Sequence, residues 1–243
     1  MSFIVDLYNT FLYQPLFNGL VLLYQYIPGK DFGLAVIALT ILIRIALYPL
    51  MTKSIKSQKA LSELQPKIRQ IQERFKSDKQ QQTREMMALY RREKFNPFSG
   101  FWPILIQLPL LIALYQVFWK GLNPGEMNRL YGFVANPGAV DPYFFGLINL
   151  AAPSVILALL VGATQFIQVK MTQAKASPKE AGQPMSQFSS MFQKQMLYFF
   201  PVFLTIIFIK LPAALALYIV ATNLFSIFQQ YFVTRPKPAE TPA

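Results

Sequence analysis

Residues 33 to 51 read GLAVIALTILIRIALYPLM, with Arg44 well inside the run. The stretch is apolar enough to cross a hydrocarbon core about 30 Å thick, which takes about 20 helical residues. A charge at that depth costs roughly 2.5 to 3.5 kcal/mol on insertion scales. No Asp or Glu lies between Asp31 and Glu63 to neutralise it. Two readings follow. Either the arginine snorkels along its aliphatic stem to the interface, or it faces the bundle interior and lines a wet cavity, the default for intramembrane ionisable groups.

Composition supports the membrane setting. The 243 residues are 53% hydrophobic and 14% charged, against about 25% charged in a soluble domain. Several other apolar runs approach spanning length and lack strand-like alternation, so the spans are read as helices. The net charge of +12 clusters in particular loops, as membrane topology requires, which argues against nucleic acid as its cause. Cysteine and histidine are both absent. That removes disulfides, thiol nucleophiles, a lipoprotein-type anchor and the commonest general base. No enzymatic activity and no cofactor or metal are expected.

The residues before the arginine span, 1–30, are apolar but interrupted by Asp6, Asn9, Gln14, Pro15 and Asn18. No basic residue precedes Lys30, so a charged signal-peptide start is missing. We read an external amphipathic helix in the membrane interface, with Phe3, Leu7, Phe11, Leu12, Leu16 and Leu20 toward lipid; a full span is the alternative. Pro28-Gly29 breaks the chain before a first span over 31–52.

Residues 53–96 differ in kind, with 12 Lys/Arg against 5 Asp/Glu. Apolar residues recur at helical spacing at Leu61, Leu64, Ile68 and Ile71, and again at Met86, Met87, Leu89 and Tyr90. The polar stretch SDKQQQT separates the two sets. This is read as a helical hairpin with a bend at Pro66. Its charge of +7 assigns it to the cytoplasm. Packing is the expected role of Met86 and Met87, with adaptable partner contacts as the alternative.

A second span is expected over 99–119, with Trp102 and Trp119 as interface anchors. A net-neutral external loop over 120–146 and a third span over 147–171 follow. Next come a flexible cytoplasmic loop over 172–195, a short fourth span over 196–210 and a fifth over 212–233. Residues 234–243 are read as a disordered cytoplasmic tail. The fold class is thus an all-α polytopic membrane protein. It is a five-helix transmembrane bundle with a cytoplasmic helical hairpin and an N-terminal interfacial amphipathic helix. The N-terminus lies outside and the C-terminus inside.

Polar residues fall within four of the five spans. Thr40 is one turn before Arg44 on the same face, Gln107 is mid-span in the second, and Thr164, Gln165 and Gln168 are in the third. Asn223, Ser226 and Gln229 recur at i, i+3, i+6 in the fifth. Singly, each can be helix-to-helix glue worth about 0.6 kcal/mol. As a set, they are better explained by a shared hydrated cavity.

Four stretches read together as a known pattern: GLAVIALTILIRIALYPL, the basic hairpin ending in NPFSG, PILIQLPLLIALYQVF, and FFPVFLTIIFIKLPAALALYIVATNLFSIFQQ. In that order they resemble the YidC family of membrane protein insertases, relatives of the Oxa-type insertases, over roughly residues 15 to 233. The resemblance implies a groove open to the cytoplasm and to lipid, with the arginine standing in it. A client's polar segment would enter transiently while its apolar segment slides into lipid. It implies as groove residues Arg44, Thr40, Gln107, Thr164, Gln165, Gln168, Asn223 and Ser226. Its implied partners are newly made membrane proteins and membrane lipids. The ribosome, the signal recognition machinery and the Sec translocon are further candidates, and the only nucleic acid in view is ribosomal RNA. The implied location is the bacterial plasma membrane. The chain departs from the pattern at Ile219, where tryptophan is frequent, and at PAALALY, where small Ser-Gly pairs are usual. Neither the large external domain nor the long basic tail of many members is expected on this reading.

The rival reading is an anion-conducting channel or transporter-like protein, since a path past Arg44 is compatible with composition. The spans contain no carboxylate to couple protons or cations.

Overall fold

The computed structural model describes residues 2–96, 102–120, 124–172 and 184–235. Helix α1 (Ser2–Tyr8) runs through a π-helical turn at Asn9–Tyr13 into α2 (Gln14–Tyr26). A 3-10 turn at Pro28–Lys30, with Gly29 at φ +78°, ends this segment. Helix α3 (Phe32–Arg74) is followed by α4 (Lys79–Arg92), α5 (Trp102–Lys120), α6 (Val155–Thr172), α7 (Pro184–Phe208) and α8 (Ala213–Thr234). A two-stranded antiparallel hairpin, β1 (Tyr143–Phe144) and β2 (Ile148–Asn149), lies between α5 and α6.

The protein is a helical membrane protein. Among the described residues α3, α6 and α8 are long and apolar enough to span a bilayer, and Leu105–Lys120 and Leu197–Phe208 are shorter apolar helical stretches. Helix α8 packs between α3 and α6, α7 packs on α6, and α2 packs on α3 and α5. The first turns of α8 are the most enclosed part of the bundle. Ala213, Ala214 and Ala216 are fully buried, so the alanines of PAALALY supply the close helix approach that small residues give in membranes. Outward positions such as Ile41, Leu42, Ile45, Leu108, Leu159 and Phe228 are exposed, forming the apolar surface that a membrane helix turns to lipid. Trp102 and Trp119 are exposed at the ends of α5.

Helix α3 is one continuous element of 43 residues, not a span that stops where the composition turns polar at residue 52. The reason is local: beyond the span the chain keeps strong helix formers and no glycine. Asp31 caps its start, accepting from Leu34 N at 2.8 Å. At the far end Asp78 caps α4, accepting from Gln80 N and Gln81 N at 3.0 and 2.9 Å. The two helices bury Leu64, Ile68 and Leu89, with Met86 and Tyr90 packed against them. Met87 points outward.

Other elements differ from the sequence reading. Leu20 faces the core, not lipid, because α2 turns Phe17, Leu20, Val21 and Tyr24 inward. The helix expected from residue 147 begins only at Val155, since residues 148–149 pair as a strand and Pro153-Ser154 opens the helix instead. Residues 184–195 are helical and belong to α7; the rest of the expected 172–195 loop beyond Thr172 lies outside the described residues, as do the tail from residue 236 and residues 97–101.

Residues 124–149 tie the N-terminal helix to the bundle. Asn18 donates to Arg129 O at 3.2 Å and accepts from Tyr131 N at 2.6 Å. The Tyr13 hydroxyl donates to Glu126 at 2.9 Å, and Arg129 lies 5.6 Å over the Tyr13 ring. Burial, then the Glu126 carboxylate, push the Tyr13 hydroxyl up, so it remains a donor. Phe144 closes the other side of the loop. A Cβ on Gly33 would lie 2.1 Å from Phe144 Cδ2 and 2.7 Å from its Cβ, an overlap that rotation of the ring cannot relieve. Gly33→Ala should therefore lower stability by about 1–3 kcal/mol in thermal unfolding in detergent. Adding Phe144→Ala should recover only part of the loss, because its Cβ would still lie 2.7 Å from the added methyl.

Candidate functional site

Arg44 is 7% exposed and lies between exposed residues Leu42 and Ile45 of the same helix. Helical periodicity explains this: the lipid-facing positions lie on one side of α3, and Thr40 and Arg44, four apart, lie on the other. Thr40 is 1% exposed, and its hydroxyl donates to Val36 O at 2.7 Å, so it is bonded within its own helix. Tyr218 of α8 lies within electrostatic reach of the Arg44 guanidinium. The Tyr218 hydroxyl accepts from Gln107 Nε2 of α5 at 2.8 Å. Arg44, Tyr218 and Gln107 thus bring α3, α8 and α5 to one polar cluster.

Further polar contacts follow α8, among them Thr172 Oγ1 of α6 donating to Gln230 Oε1 at 3.3 Å. Asn223 Nδ2 donates to Thr164 Oγ1 of α6 at 3.1 Å. One and a half turns on, Gln229 Nε2 donates to Tyr48 O at 3.1 Å and to Thr52 Oγ1 at 2.9 Å. These two acceptors bracket Pro49, which removes a backbone donor from α3. Ser226 donates to Thr222 O of its own helix at 2.8 Å. Gln165 and Gln168 are half-buried on α6 and join neither the Asn223 nor the Gln229 contact. The expected set is therefore divided. Gln107 shares the arginine cluster, Thr164 and Asn223 bond directly to one another, and Thr40 and Ser226 are satisfied locally. The Thr164–Asn223 contact is direct helix-to-helix glue, worth about 0.6 kcal/mol.

Tyr218 is the member that sequence reasoning missed. Its signal was a phenol in the second turn of an apolar span, where a buried hydroxyl needs a polar partner. The ion pairs Lys67–Glu93 and Glu126–Arg129 lie on the hairpin and on the 124–149 loop, away from this cluster.

An apolar helical bundle with a polar seam inside and a basic hairpin at one end defines a polytopic membrane protein. The chain belongs to the 60Kd inner membrane protein family, whose model matches residues 22–240, and this is the family of the YidC and Oxa-type insertases. It is similar to the membrane protein insertase YidC of Histophilus somni strain 2336, 36% identical over 225 residues covering 93% of this chain and 37% of the relative. The YidC of Pelagibacter ubique is 36% identical over 239 residues, covering 95% of this chain and 40% of that one. The chain spans about two-fifths of the length of these curated relatives, which are named as insertases rather than as enzymes. Its fold is that of the crystal structure of an active YidC insertase with the first transmembrane domain resolved, with a TM-score of 0.60 and 24% identity over 90% of this chain and 46% of that one.

Proposed function

We propose that the protein is a membrane protein insertase and chaperone of a bacterial inner membrane, and that Arg44 is the charge its clients meet. The observation that carries this reading is a guanidinium 7% exposed inside an apolar helix, with no carboxylate paired to it among the described residues. A purely structural arginine gains from a fixed partner, because a buried charge is costly unless paired. An arginine that meets a succession of acidic or polar segments works better without one.

The chemistry is a lowered barrier, not a covalent step. Carrying a polar segment through dry hydrocarbon leaves its groups unsatisfied at several kcal/mol each. A cytoplasm-open groove at Arg44 hydrates half of that path. An opposite charge about 4 Å away gains about 4 kcal/mol at an effective dielectric near 20, enough to recruit a segment and little enough to release it. The client's apolar segment then leaves into lipid, and its burial drives the process without ATP. Gln107 and Tyr218 present polar atoms beside the arginine, while Thr164, Gln165, Gln168, Asn223 and Ser226 continue the polar face toward the cytoplasm. In this reading five spans place the N-terminus outside and the C-terminus and basic hairpin in the cytoplasm. The hairpin meets anionic lipid and the machinery that delivers clients, namely the ribosome, the signal recognition machinery and the Sec translocon.

Reconstitution tests the proposal. Proteoliposomes should insert a small single-spanning client, scored by protease protection of its translocated end, several-fold faster than protein-free liposomes. Equal rates with and without the protein would refute the insertase reading. Chloride flux in the absence of client would instead favour an anion channel.

A further inference from the structure

We infer that the tip of the β1–β2 hairpin, Phe145 to Leu147, is a membrane wedge seated in the interfacial layer of the leaflet at which α3 begins. Its side chains are unusual for a turn. Phe145 is 64% exposed and Leu147 83% exposed, and no charged residue occurs between Tyr143 and Asn149. The turn is tight, with Leu147 N donating to Phe144 O at 3.0 Å. Its two central residues, Phe145 and Gly146, have φ of +50° and +67°. Such turns favour Asn-Gly or Gly-Gly, and a bulky residue at positive φ is an outlier. The Phe145 ring rests on the Phe144 ring, centroids 4.5 Å apart, yet the residue stays largely exposed, and backbone strain at such a position points to function.

The depth of the tip is set by what holds it. Asp31, which caps α3, also accepts from Phe145 N at 2.5 Å through its second carboxylate oxygen. The Phe144 ring lies against Gly33, at the start of the apolar run of α3. On the other strand side, Leu150 O and Ala152 O accept from Ala214 N and Ala213 N at the start of α8. The hairpin is thereby fastened to the first residues of two apolar helices, both of the length and composition that span a bilayer. A side chain projecting from that level reaches the zone where aromatic and apolar groups partition favourably at the lipid boundary. Lipid is therefore the occupant we assign. This inference does not depend on the insertase reading.

The chain contains no cysteine, so Leu147→Cys carries a single environment-sensitive fluorophore without further changes. The exposed Gln81→Cys on α4 serves as the aqueous reference. In proteoliposomes, the label at 147 should lose about half of its emission to lipids bearing a nitroxide near the top of the acyl chain and should be shielded from iodide relative to the label at 81. Quenching by iodide without quenching by the lipid nitroxide would place the tip in water and overturn the proposal. Shielding from both quenchers would mean that protein covers the tip, such as a second copy of the chain, and would overturn it equally.

Discussion

Arg44→Ala should slow insertion of a client with an acidic leading segment about tenfold or more in proteoliposomes, the equivalent of at least 1.4 kcal/mol. Arg44→Lys should retain most of the wild-type rate, because the proposed task needs a positive charge rather than the planar fork of a guanidinium. The alanine variant is informative because activity and stability should move in opposite directions. Removing a buried charge from a membrane helix relieves a cost of roughly 2.5 to 3.5 kcal/mol, so thermal stability in detergent should hold or rise while insertion falls. A loss of both would indicate a structural arginine. Unchanged insertion by Arg44→Ala would remove the residue from the mechanism.

Gly162→Ala should be the most damaging single-methyl change on the α6–α7 interface. The added Cβ would lie 2.1 Å from Thr205 Oγ1 and 3.3 Å from Pro201 O. Thr205 cannot easily swing away, since its hydroxyl donates to Pro201 O at 2.9 Å and its β-branch restricts χ1. The helices must then separate, which costs about 1–3 kcal/mol, read as a lowered midpoint of thermal unfolding in detergent. The double variant Gly162→Ala/Thr205→Ala removes the hydroxyl in the way and should recover most of that loss. A Gly162→Ala protein as stable as wild type would show that α6 and α7 do not pack this closely.

The membrane character, the basic hairpin and the solitary arginine were legible because each is a matter of composition against a known cost. A charge in an apolar run is visible without knowing what surrounds it. Tyr218 was harder to read, since its role depends on α5 and α3 meeting α8 at one level, and that is a tertiary fact. The continuity of α3 was hidden for another reason. The change from apolar to charged residues at position 52 marks where lipid ends, but helix propensity is indifferent to that boundary. Leu20 misled because a half-apolar helix at a membrane surface has two plausible partners, lipid and the bundle, and hydrophobicity alone does not choose between them. The 147–154 stretch is apolar enough for a span, but Asn149 and Pro153 favour a hairpin and a turn.

At about 1.5 Å per residue, the 43 residues of α3 form a rod of about 65 Å, of which a bilayer core takes only about 30 Å. The rest is a shaft standing out of the membrane, with the hairpin as its head. Pro49 and Pro66 are weak points along that shaft; Gln229 grips α3 on either side of the first, which limits bending there. What such a shaft transmits is rotation. Each residue advances its surface by about 100°, so the compass direction in which α4 faces is locked to the direction in which Arg44 faces. If a partner turned the hairpin, the turn would reach the arginine only as far as α3 stays stiff through Pro66.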